Sequence, residues 1–194
     1  MPSFPALRAA RSSNATSPPR STSPTCSIPS MREIPGAELR WSIRASFLRY
    51  VAALPDARAS VSDGARMTRD DPQLVVYPAD PDATTASTLA FRGDLRLSGH
   101  GGLLFVRLAG PRIELGIDGG TAVLSVEDPT SEDGTGPRLP LVTVTMTRTE
   151  AGWSGSDAAL TADGVALFNH VYPAGAPFDP LEIVTTATAA HFVS

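Results

Sequence analysis

Histidine occurs three times in this 194-residue sequence, at His100, His170 and His191, and no two are spaced i, i+4 as a helical metal pair would be. His100 has the most unusual setting, G-H-G-G, between Gly99, Gly101 and Gly102. Glycines free the backbone for left-handed angles and for close approach to something flat or bulky, although such clusters also build ordinary hairpin turns. Neither G-x-x-x-x-G-K nor a helix start follows, so this is not a phosphate cradle. The serines offer no G-x-S-x-G elbow, and W-S-G-S lacks its context. Asp128, Glu132 and Asp133 form an acidic group without the twelve-residue calcium pattern, which reads as a solvated loop. The single cysteine, Cys26, excludes an internal disulfide framework, a cysteine-built zinc site and C-x-x-C-H heme attachment.

The elements that must carry these groups are short. Leu39, Trp41 and Ile43 alternate with Arg40, Ser42 and Arg44, the period of a half-buried strand. The period then changes. Phe47, Tyr50, Val51 and Leu54 fall at i, i+3, i+4 and i+7, one face of a helix over residues 46–54 that Pro55 must end. Packing of that face explains Tyr50 without any ligand.

Downstream, Leu89, Phe91, Leu95 and Leu97 share one parity, with Gly93 as a bulge or close approach. Strands follow at 103–108 and 112–117, the latter in a hairpin with 121–126 across Asp118-Gly119-Gly120. A loop spans 128–137, and the 139–147 strand puts threonine on one face. Residues 59–68 and 73–77 read as shorter or edge strands, and 163–169 as a second short helix. Many short strands at regular spacing predict a mainly β fold, a β-sandwich or an open, distorted barrel with one or two short helices.

The length suits one domain. Residues 1–36 read as a disordered Ser/Pro-rich tail, with Met31 as an alternative start, and residues 37–194 as the domain. The net charge is −4, yet residues 1–30 carry three arginines and no acidic residue, so the remainder carries −7. That balance argues against nucleic acid as a partner. No segment has the apolar run of a signal peptide or an integral membrane span, and the expected location of the sequence as it stands is cytoplasmic.

Several motifs occur in a fixed order: W-S-I-R-A-S-F-L-R-Y over 41–50, G-D-L-R-L-S-G-H-G-G over 93–102, P-R-I-E-L over 111–115, L-T-A-D-G over 160–164 and Y-P-A-G-A-P-F-D-P-L over 172–181. Together they resemble the Htaa domain, the heme-binding module of actinobacterial heme-uptake proteins. The resemblance implies Tyr50 as axial ligand to iron, His100 as its hydrogen-bonding support, Tyr172 as the aromatic of the late motif and Phe47 as a residue packing on the porphyrin. Arg44 and Arg49 are candidate propionate partners by proximity. The implied cofactor is non-covalent ferric heme b, and the implied function is capture and transfer or buffering of heme by a protein that is not an enzyme, with other heme carriers as partners. Two alternatives stand beside it: a β-sandwich interaction module without heme, and a tyrosinate-ligated heme enzyme of catalase or peroxidase type.

Overall fold

A computed structural model describes residues 36–116, 120–130 and 136–185. The expected tail with Cys26 and Met31, the hairpin residues Asp118 and Gly119, the acidic pair Glu132 and Asp133, and His191 lie outside the described residues. The fold is mainly β, as the strand periods predict, and the open-barrel alternative is the one realised.

The first strand, β1 (Ala37–Trp41), turns Ala37, Leu39 and Trp41 inward and is followed by helix α1 (Ala45–Ala52). Then come β2 (Arg58–Ser62), β3 (Arg66–Met67), β4 (Val75–Pro78), β5 (Thr88–Ala90), β6 (Asp94–Gly99), β7 (Leu104–Ala109) and β8 (Arg112–Leu115). The later strands are β9 (Thr121–Glu127), β10 (Arg138–Thr149), β11 (Gly152–Leu160) and β12 (Leu181–Thr185). Nine strands form one sheet in the order β3-β4-β1-β12-β11-β10-β9-β8-β5, and β2-β6-β7 form a second. A bridge between Ala79, just past β4, and Phe91, just past β5, ties the second strand of the large sheet to its far edge. That tie curls the sheet into a half-barrel around the apolar core.

Local chemistry explains where the strand periods hold and where they break. Thr143, Thr145 and Thr147 are exposed while Val142, Val144 and Met146 are buried, as the threonine face predicts. The run through Leu89 and Leu97 is not one strand. Gly93, at φ +128°, turns the chain from the large sheet into the small one, and a Cβ there would lie 2.6 Å from that of Ala65. The expected strand over 59–68 is likewise broken, at Asp63-Gly64, where both residues have positive φ. The second helix is a 3-10 segment, Asp163–Phe168, that buries Leu167 and Phe168.

Asp94 fixes the small sheet to the large one. Its buried carboxylate accepts from Arg96 at 2.8 Å and Arg107 at 2.9 Å, and Arg107 continues to Glu127 on β9 at 3.1 Å. Burial alone would push the Asp94 carboxyl up, but the two guanidinium groups hold it below the ordinary range. Asp94→Asn is expected to cost about 3 kcal/mol in denaturant unfolding at neutral pH, because it leaves Arg107 poorly compensated. The unfolded carboxyl takes up its proton near pH 4 and the folded one only at lower pH, so this stabilisation is present above that value and lost as pH falls. The parent should therefore weaken from roughly pH 5 to pH 3, and Asp94→Asn should weaken less over that interval. Equal slopes for the two proteins would contradict the assignment.

Candidate functional site

The site begins where β1 gives way to α1. Ile43 sits at φ +61°, a left-handed conformation that a β-branched side chain adopts only when its surroundings force it. Asp179 supplies the force. Its backbone N–H donates to the Ile43 carbonyl at 2.9 Å, and its carboxylate accepts from Ser42 Oγ at 2.8 Å and from the Ala45 N–H at 2.6 Å. Trp41 Nε1 donates to the Asp179 carbonyl at 2.8 Å. A residue more than a hundred positions away thus caps the first turn of α1, whose N–H groups have no partner within the helix.

Helix α1 buries Phe47, Leu48 and Val51, and its C-cap lies at Ala53, two residues before Pro55. Tyr50 does not pack into the core: it is 49% exposed, and core packing alone is the wrong account of it. Its hydroxyl hydrogen-bonds to Nε2 of His100, fifty residues away. His100 opens the turn between β6 and β7 at φ +53°, followed by Gly101 at +64° and Gly102 at +95°. The backbone N–H groups of His100 and Gly101 donate to the Asp56 carboxylate at 3.1 and 2.6 Å. Those bonds, the Gly101 one foremost, hold the Asp56 carboxyl below its ordinary range.

Tyr50 and His100 stand at the mouth of a cavity of about 550 Å³, within the range of roughly 300–1,000 Å³ usual for small-ligand sites. Phe47, Leu104 and Phe168 line it together with Tyr172, while Leu103 and Val171 at its edge are 83% and 68% exposed. The aromatic wall is interlocked edge to face: Phe47 meets Phe168 at 5.4 Å and Tyr172 at 6.4 Å between ring centroids, and Phe168 meets Phe178 at 5.2 Å. Asn169 Nδ2 donates to the Leu103 carbonyl at 3.0 Å, joining the two loops that carry the exposed apolar pair.

All four site residues singled out by the resemblance, Phe47, Tyr50, His100 and Tyr172, line this one cavity. Arg44 lines it too, 4.3 Å above the Tyr172 ring and donating to the Pro177 carbonyl at 2.9 Å. Arg49 belongs elsewhere: it falls on the other side of α1, beside Leu48 and Asp70–Gln73. Residues 44, 47 and 50 share a helical face and residue 49 does not. Sequence reasoning missed Leu103, Phe168, Val171, Asp56 and Asp179. The last two had a signal, an acidic residue following the helix-ending Pro55 and the one acidic residue of the late motif.

Among the described residues, no group of three or more His, Cys, Asp or Glu side chains can hold a bare metal ion, and no helix is long and apolar enough to cross a membrane. The family described as Htaa matches residues 36–184. No curated protein matches the chain. Among solved structures, the C-terminal domain of HtaA from Corynebacterium glutamicum is 21% identical with a TM-score of 0.59, covering 77% of this chain and 95% of that one. The N-terminal domain of the same HtaA gives 21% and 0.59, covering 79% and 99%. The heme-binding protein HtaB of that organism gives 18% and 0.59, covering 77% and 92%. At these identities the likeness establishes a shared fold.

Proposed function

This chain belongs to the Htaa family, and from that membership we propose that it captures ferric heme b non-covalently, with the Tyr50 oxygen as axial ligand, and buffers it or passes it to other heme carriers. The observation that carries the reading is a half-exposed phenol, held by an imidazole, at the mouth of an apolar cavity. The match of HtaB, named as a heme-binding protein, lends support to heme as the ligand.

A phenol with an ordinary pKa of about 10 is a weak anionic ligand at neutral pH. Ferric heme, when bound, supplies a Lewis-acidic iron that favours the phenolate, and the hard anionic oxygen favours ferric over ferrous iron in return. His100 supplies the other half of that preference. Its Nε2 can accept from the neutral phenol, and in the other tautomer it donates to the deprotonated oxygen. It therefore tunes the ligand and leaves the iron to Tyr50. Phe47, Phe168, Leu103 and Val171 provide apolar surface for a porphyrin, and Arg44 stands at the edge where a propionate carboxylate would be paired.

The remaining polar side chains of the lining are Ser46, Asn169 and Tyr172, and His100 is already engaged by Tyr50, an arrangement suited to holding and releasing a ligand. Titration of the purified chain with hemin, followed by visible absorption, is expected to saturate at one hemin per chain with a tyrosinate-to-ferric charge-transfer band. A spectrum equal to that of free hemin at every ratio would overturn the reading.

A further inference from the structure

Asp56 stands on the turn that leaves α1, on the same short segment as Tyr50. Leu54 and Asp56 lie against the start of the G-H-G-G loop: a Cβ on Gly99 would come within 2.6 Å of Leu54 Cδ1 and 3.8 Å of Asp56 Oδ1. His100, Gly101 and Gly102 follow one another at positive φ, a backbone course that turns successive N–H groups toward an anion. The Asp56 carboxylate is that anion, with one oxygen on each of the first two N–H groups. The segment carrying Tyr50 therefore grips His100 twice, by the ring through the Tyr50 hydroxyl and by the main chain through Asp56.

We propose that Asp56 is a positioning residue for the Tyr50–His100 pair: by holding the loop's N–H groups it keeps the His100 imidazole on the Tyr50 oxygen and so sets the ligand strength of that oxygen toward heme. The inference rests on the heme reading for its consequence, but its geometry stands without it. Asp56 does not itself line the cavity; its side chain is exposed and accepts from the His100 and Gly101 N–H groups of this loop. Losing it frees His100, which is not a glycine, to leave the left-handed region and carry its ring away.

The test compares the full chain with Asp56→Ala, Asp56→Asn, His100→Ala and the Asp56→Ala/His100→Ala double variant. In ligand-free protein, the Gly101 amide proton should be shifted downfield and protected from exchange. Asp56→Ala should abolish both features and move the His100 Nε2 resonance toward that of a free imidazole, while the variant still melts as the parent does. With hemin, Asp56→Ala should bind about 10–100-fold more weakly, with its charge-transfer band moved to the position seen in His100→Ala. Asp56→Asn, which keeps one acceptor oxygen, should recover part of the loss. On the His100→Ala background, Asp56→Ala should change affinity by less than about twofold, since it acts through His100. Equal effects on both backgrounds, or an Asp56→Ala band and affinity equal to the parent's, would overturn the inference. Should the parent itself bind no hemin, the heme reading fails, and an unchanged His100 resonance in ligand-free Asp56→Ala would separately defeat the positioning role.

Discussion

Tyr50→Phe is expected to remove the tyrosinate-type ferric spectrum and to weaken hemin binding by more than about 100-fold, beyond the loss typical of a supporting partner. The substitution deletes one oxygen and leaves the ring in place. Because that ring is half exposed and its hydroxyl bonds, among the described residues, to the exposed His100, the fold should hardly register the change. A stability difference within about 0.5 kcal/mol, as for most surface substitutions, is the expected outcome of thermal unfolding. A variant that melts like the parent and binds hemin equally well would show that the oxygen is no ligand.

His100→Ala should have the next largest effect on binding and a different character. The ligand remains, but it loses the group that donates to it, so affinity should fall about 10–100-fold while a tyrosinate band survives at a shifted position. The alanine keeps a Cβ at φ +53°, so the left-handed strain of the loop is the same in kind as in the parent. Equilibrium titration and absorption spectra measured side by side separate this pattern from that of Tyr50→Phe. Complete loss of the band in His100→Ala, with the protein still folded, would mean that the histidine is itself the ligand.

How far these features could be read in the sequence depended on the range over which each is determined. Helix α1 was legible because its apolar spacing and Pro55 are local, and the realised bounds, Ala45–Ala52, differ from the expected 46–54 only at the ends. The pairing of Tyr50 with His100 came from the family resemblance that the dispersed motifs carry and from no local period, since nothing within either segment reports on the other. The glycines around His100 did announce a special backbone, and three consecutive positive φ values are what they serve.

What escaped was mostly long-range. Asp179 caps a helix far away in sequence, and Ile43 reads as the continuation of a strand until that contact turns it to φ +61°. Leu103 and Val171 looked like ordinary strand and loop residues, and only the folded chain sets them on either side of one opening. Strand β12 was not recognised, because five residues of L-E-I-V-T become a strand by inserting between β1 and β11. Beside it, Gly155 packs so closely that a Cβ would lie 2.7 Å from Leu181 Cδ1, a fit invisible before the strands pair.

The most direct measurement of the central claim is to locate the iron. Crystals grown with hemin and measured at the iron absorption edge should give one anomalous peak per chain, within bonding distance of the Tyr50 phenol oxygen and at the mouth of the cavity lined by Phe47, Phe168 and Tyr172. His100 Nε2 should remain hydrogen-bonded to that oxygen and stay off the metal. A peak on His100 or His170, a peak on the outer face of the sheet, or a fully occupied hemin whose iron lies away from Tyr50 would contradict the account.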